Sequence, residues 1–98
     1  MARMHIHQFV HTLHYGDAIS GEALAIARIL REAGHESFIY SVHTHEKLKG
    51  QDRRWGLFEE DLRTAGARGD ETAVILHYSI GSPRISSKHS PQLAVARW

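Results

Sequence analysis

The stretch Met4-His-Ile-His-Gln-Phe-Val-His-Thr-Leu-His-Tyr-Gly-Asp-Ala-Ile-Ser-Gly-Glu-Ala-Leu-Ala-Ile-Ala-Arg-Ile-Leu-Arg-Glu-Ala-Gly34 decides the fold. Met4 to Val10 reads as a strand: Met4, Ile6 and Phe9-Val10 supply apolar bulk, interleaved with His5, His7 and Gln8. His11 to Asp17 reads as a loop with Gly16 near its end. From about Ala18 to Ala33, Ile19, Ala23, Ile26, Leu30 and Ala33 recur at steps of four and three, which places them on one face of a helix. Asp17 or Ser20 can cap its start, because a short side-chain oxygen accepts from a free backbone N–H. Gly34 suits the left-handed position that ends a helix.

The rest of the chain continues the alternation. Glu36 to Val42 reads as a second strand, His43 to Arg53 as a polar, irregular segment, and Trp55 to Ala65 as a weaker helix. Gly66, Gly69 and Asp70 break that helix. Thr72 to Tyr78 reads as a third strand, apolar from Ala73 to Leu76, as suits a strand covered on both faces. Ser79 to Pro83 reads as a turn. The order strand, helix, strand, helix, strand predicts an α/β fold with a short parallel sheet, right-handed crossovers and strand order 2-1-3. The tail, 84–98, has little periodicity and no acidic residue, and is expected to be poorly ordered or exchanged between chains.

Composition narrows the function classes. The chain has 98 residues, 42% of them hydrophobic, which suits one small globular unit. Twelve Lys plus Arg against eleven Asp plus Glu gives a net charge of +1, which gives no reason to expect a nucleic-acid partner. The absence of cysteine excludes disulfides, zinc–thiolate sites and thiol catalysis. No apolar run approaches the roughly 20 residues that span a bilayer, and no signal-peptide pattern opens the sequence, so a cytoplasmic protein without a membrane span is expected.

In an open parallel sheet, ligands sit outside the carboxyl ends of the strands where the strand order reverses. Two segments are expected there: His11 to Asp17, and His77-Tyr-Ser-Ile-Gly-Ser-Pro83. Gly16 allows a close backbone approach, and the N–H groups at the start of the following helix point at the same place, which suits a phosphate or a sugar hydroxyl. Equally, Gly16 can simply make the turn while Asp17 caps the helix. The Gly-x-Gly-x-x-Gly and Gly-x-x-x-x-Gly-Lys-Ser/Thr patterns are absent.

His7-Gln-Phe-Val-His-Thr-Leu-His-Tyr-Gly-Asp-Ala-Ile-Ser20, Leu30-Arg-Glu-Ala-Gly-His-Glu-Ser37 and Leu76-His-Tyr-Ser-Ile-Gly-Ser-Pro83 resemble the N-terminal domain of GT-B-fold retaining glycosyltransferases of the glycosyltransferase 4 type. The resemblance covers about residues 4–83. It implies a partial Rossmann-like three-layer sandwich over residues 1–83 and hexosyl transfer from a nucleotide sugar to an acceptor. It implies that Gly16 and Asp17 face an inter-domain cleft, with His77, Tyr78, Ser79, Gly81 and Ser82 as the floor beside it. Tyr15 can stack on a sugar ring or cover the edge of the core. The donor-binding domain of such enzymes is missing after Pro83, so the chain reads as a truncated product or fragment, inactive alone. Catalytic residues are not assigned, and no cofactor is implied.

Nine histidines stand out. His5 and His7 share a face of the first strand, and His43 and His45 do likewise if extended. No recognised metal-ligand spacing accompanies them, so no metal site is assigned; the histidines are expected to serve as hydrogen-bonding groups at loops and strand ends. Glu59, Glu60 and Asp61 read as a solvated helix face. The alternatives to a transferase portion are a non-catalytic α/β binding or interaction module and, last, a small metal-binding protein. Uncovered strand edges predict a homo-oligomer.

Overall fold

The computed structural model describes residues 4–16, 18–82 and 86–98, with only the backbone of 78–82 and 86–92. The elements run β1 (Met4–Leu13), α1 (Ala18–Glu32), β2 (Ile39–Thr44), β3 (Arg53–Arg54), α2 (Phe58–Ala67), β4 (Glu71–Ser82) and β5 (Ser86–Arg97). Single 3-10 turns at Glu46–Leu48 and Trp55–Leu57 lead into β3's neighbourhood and into α2. The fold is α/β, with two helices and one five-stranded mixed sheet.

The strand order, β3-β2-β1-β4-β5, differs from the expected three-strand order. Four strands are parallel, and β5 runs antiparallel to β4. Two edge strands account for the difference. Arg53 and Arg54 pair with Tyr40 and Ser41 outside β2, at the end of the segment from His43 to Arg53 expected to be irregular. The tail, expected to be poorly ordered or exchanged, instead forms β5 along the edge of β4 that was expected to be free. Pro91 lies within β5, a position an edge strand tolerates because one side of its backbone needs no ladder bond.

Side chains of adjacent partners alternate between the two faces. Gln8 is paired with Ile39, and Phe9 with Tyr40. Ile39 packs with Val10, Leu13, Ala23 and Ala27, so α1 covers one face. Tyr40 packs with Phe58 and Val74, flanked by Phe9, Phe38, Leu62 and Leu76, so α2 covers the other. The small alanines at the α1 contact let the helix approach the strands closely. The α2 face is filled instead by rings, with Trp55 stacked on Phe58 at 4.8 Å and Phe58 edge-on to Tyr40 at 5.3 Å.

α1 ends where Gly34 predicted. Gly34 has φ of 92°; its N–H bonds to the Arg31 carbonyl and that of His35 to the Leu30 carbonyl. This paired closure satisfies two carbonyls that the helix end would leave open. The same pair of bonds closes α2 around Gly69 and delivers the chain to β4. Ser20 is not a cap: it lies inside α1, accepts from the His14 N–H at 2.8 Å and so ties the β1–α1 loop to the helix. Asp17, the other expected cap, lies outside the described residues. No helix among the described residues is long and apolar enough to cross a membrane.

Candidate functional site at the carboxyl ends of the strands

The connection out of β1 passes over one face to β2, and the chain then crosses the other face to β4 on the opposite side of β1. The strand order therefore reverses at β1, the place where open α/β sheets commonly bind their ligands. The β1–α1 loop stands there. Gly16 takes φ of 81°, a conformation that side chains with a Cβ rarely adopt, and α1 begins at Ala18. Tyr15 is 57% exposed and so presents its ring to solvent rather than closing the core.

The end of β2 supplies the second wall. The His45 N–H bonds to the Leu13 carbonyl at 2.8 Å, which holds the two strand ends side by side. The His14 and His45 rings lie 5.2 Å apart, and those of His11 and His43 5.5 Å apart. Tyr15 sits 6.2 Å from His45, and the Lys47 ammonium lies 4.7 Å above the Tyr15 ring. A cation at that distance is attracted by the electron-rich ring face. Two tautomers follow from the bonding. His45 Nδ1 accepts from the Lys47 N–H at 3.1 Å, so a neutral His45 carries its proton on Nε2. His14 Nδ1 donates to the Tyr15 carbonyl at 3.0 Å, which leaves Nε2 as an acceptor. The rim thus offers an aromatic face with donors and acceptors around it. Among the described residues no group of three or more His, Cys, Asp or Glu side chains could hold a metal ion.

Tyr15 and Gly16 come together in this loop; Asp17 lies outside the described residues. The segment 77–82 is not a second loop. It continues β4, with Tyr78 opposite Gln92, Ser79 opposite Pro91, Gly81 opposite His89 and Ser82 opposite Ser86. The side chains of Tyr78, Ser79, Gly81 and Ser82 are not described. His77 is buried on the α1 face of the sheet, where its Nε2–H donates to Gln8 Oε1 at 2.6 Å while Gln8 Nε2 donates to the Ala23 carbonyl at 2.8 Å. Burial pushes the His77 imidazole below its ordinary range.

His43, His45 and Lys47 were not singled out as members of this site, because only the strand pairing brings them beside Tyr15. A second polar cluster, at the amino ends of the strands on the α2 face, was also unforeseen. Asp61 is not an ordinary solvated carboxylate: it accepts from Tyr40 Oη at 2.6 Å and from Arg53 Nε and Nη2 at 2.7 and 2.9 Å. These bonds hold Asp61 below the usual carboxylate range, the Arg53 guanidinium first. Beside it, His5 faces Asp70 at 2.8 Å and Glu36 at 3.3 Å.

Comparison with protein-family models, with curated proteins and with solved structures gives no match.

Proposed function

We propose that this chain supplies the acceptor-side portion of a nucleotide-sugar-dependent, retaining hexosyltransferase, built as a partial Rossmann-like unit. The observation that carries the reading is the exposed Tyr15-Gly16 loop, set before the start of α1 at the strand-order reversal. An exposed ring flanked by His14, His45 and Lys47 suits a sugar: the apolar side of a pyranose stacks on the ring while its hydroxyls meet the surrounding donors and acceptors. The sequence resemblance around Tyr15, Gly16 and Asp17 supplies the reaction class.

A second reading, a non-catalytic α/β binding module, is favoured by one observation. The antiparallel β5 occupies the edge of β4 on which a longer parallel sheet would have to continue.

Saturation-transfer NMR against uridine- and guanosine-diphosphate sugars and free hexoses tests the first reading. Hexose signals should be saturated from Tyr15, and Gly16→Trp should abolish the transfer by occupying the open space beside Tyr15 and straining the left-handed turn. Sugar transfer by the isolated chain should be undetectable. Absence of any sugar contact at Tyr15 refutes the hexosyltransferase reading and leaves the binding module.

A further inference from the structure

The amino-end cluster lines a half-open cavity of about 190 Å³ between β1, β3, α2 and the segment 36–38 that leads into β2. That is below the roughly 300–1,000 Å³ of pockets for larger ligands, so its occupant has only a few heavy atoms. We propose that this cavity binds a small monocarboxylate, held by the Nε2–H of His7 and by the guanidinium groups of Arg53 and Arg68. The inference is independent of the transferase reading, because the cavity lies at the opposite end of the strands from Tyr15.

His7 is the central observation. It is only 3% exposed, lines the cavity and stacks on Phe38 with ring centroids 5.3 Å apart. Its Nδ1 accepts the Phe38 N–H at 3.0 Å, so the one proton of the neutral ring sits on Nε2. Among the described residues Nε2 has no partner. Nor is it one of the sealed unpartnered atoms, which among the described residues are Ser37 Oγ and Thr72 Oγ1. An N–H that is unpartnered but not sealed in the core, on a side chain lining a cavity, can take an acceptor there.

The surrounding charges define that acceptor. Arg53 spends Nε and Nη2 on Asp61 and lies 5.2 Å from the Phe38 ring centre, with further N–H groups remaining. Arg68, just past the end of α2, lines the cavity and makes no ion pair among the described residues. The two carboxylates in the lining are already engaged, Asp61 by Arg53 and Tyr40, and Glu36 by His5. Donors are left over and acceptors are occupied, so an acceptor-only ligand fits. A phosphate dianion would meet the charges of Glu36 and Asp61, whereas a planar monoanion matches the guanidinium fork with half that repulsion.

Histidine and arginine side-chain 1H–15N spectra, recorded during titration with acetate and with pyruvate, test this. Saturable shifts are expected at His7 Nε2 and at the guanidinium Nη groups of Arg53 and Arg68, with no saturable response to acetamide and a weaker one to inorganic phosphate. Arg68→Ala, at an exposed position, should weaken acetate binding about tenfold with the fold intact. The proposal is overturned if His7 does not respond, if acetamide or phosphate binds as well as acetate, if Arg68→Ala binds unchanged, or if shifts arise only at His11, His14, His43 and His45.

Discussion

Acid should unfold this protein chiefly through His7. The ring is buried between Phe38 and Tyr40, each 5.3 Å away, and its Nδ1 lone pair holds the Phe38 N–H. A proton on Nδ1 would remove that acceptor and place a charge in a desolvated position beside His5 and Arg53. Burial first, and the neighbouring His5 second, lower its pKa from the ordinary 6.5 to about 4. The folded-state value lies below the unfolded one, so the unfolded chain binds the proton first. The stability due to neutral His7 is therefore fully present above pH 6.5 and is lost as the pH falls towards 4. Integrating a single proton over that window gives a loss of about 3 kcal/mol by pH 4. That is a large share of the roughly 5–15 kcal/mol available to a small domain.

Urea unfolding at a series of pH values from about 7.5 to 4 measures the loss, and the His7 Cε1 proton reports the site directly by NMR. His77, also lowered by burial, contributes in the same direction, whereas Asp61 loses its contribution at lower pH, below the ordinary carboxylate range. His7→Asn separates these contributions, because an amide oxygen can replace Nδ1 as the acceptor without titrating. The variant should be about 1–2 kcal/mol less stable at neutral pH through lost ring packing, yet show a flatter pH profile. A His7 midpoint near 6.5, or a His7→Asn profile as steep as the parent's, would refute the reasoning.

Two other perturbations probe the sheet. Gln8→Leu strands the buried His77 Nε2–H and removes the bond to the Ala23 carbonyl, and should cost about 2–4 kcal/mol in urea unfolding, whereas adding His77→Leu should restore about 1–2 kcal/mol of it. A Gln8→Leu variant within about 0.5 kcal/mol of the parent would show that the pair is not structural. β5 is a sheet edge on which Leu93 and Val95, 51% and 63% exposed, share one face, so the chain should self-associate and Val95→Lys should shift it towards the 11.1 kDa monomer. Light scattering that finds the parent already monomeric at about millimolar concentration contradicts this.

Local signals made part of the fold legible. The four-and-three spacing from Ile19 to Ala33, closed by Gly34, defines α1 almost to the residue. The apolar run Ala73 to Leu76 marks a strand covered on both sides. What failed was pairing over distance. Ser79, Gly81 and Ser82 have turn chemistry, yet they lie in β4 because β5 returns antiparallel beside them. Pro91 and the serines hid β5, whose extended form depends on a neighbour rather than on its own residues. Asp61 stands beside Glu59 and Glu60, and nothing local distinguishes it; Tyr40 and Arg53 do so through space.

The histidines show the same division between composition and placement. His7 and His77 are the same residue type as His14 and His45, and the strand positions of the first two gave no warning that they would lie in the core. Their burial follows from the sheet: β1 and β4 are flanked on both sides, so a polar ring there must find a fixed partner or destabilise the fold. His77 finds Gln8, and His7 finds the Phe38 N–H with one of its two nitrogens. At the carboxyl ends, His14 and His45 reach the rim, where backbone partners set their tautomers and a ligand can still approach. The interior of the sheet therefore uses imidazole as an internal bonding group, and the rim at the carboxyl ends presents it to solvent. Among the described residues His5 and His7 combine both situations, buried like core residues while lining a cavity.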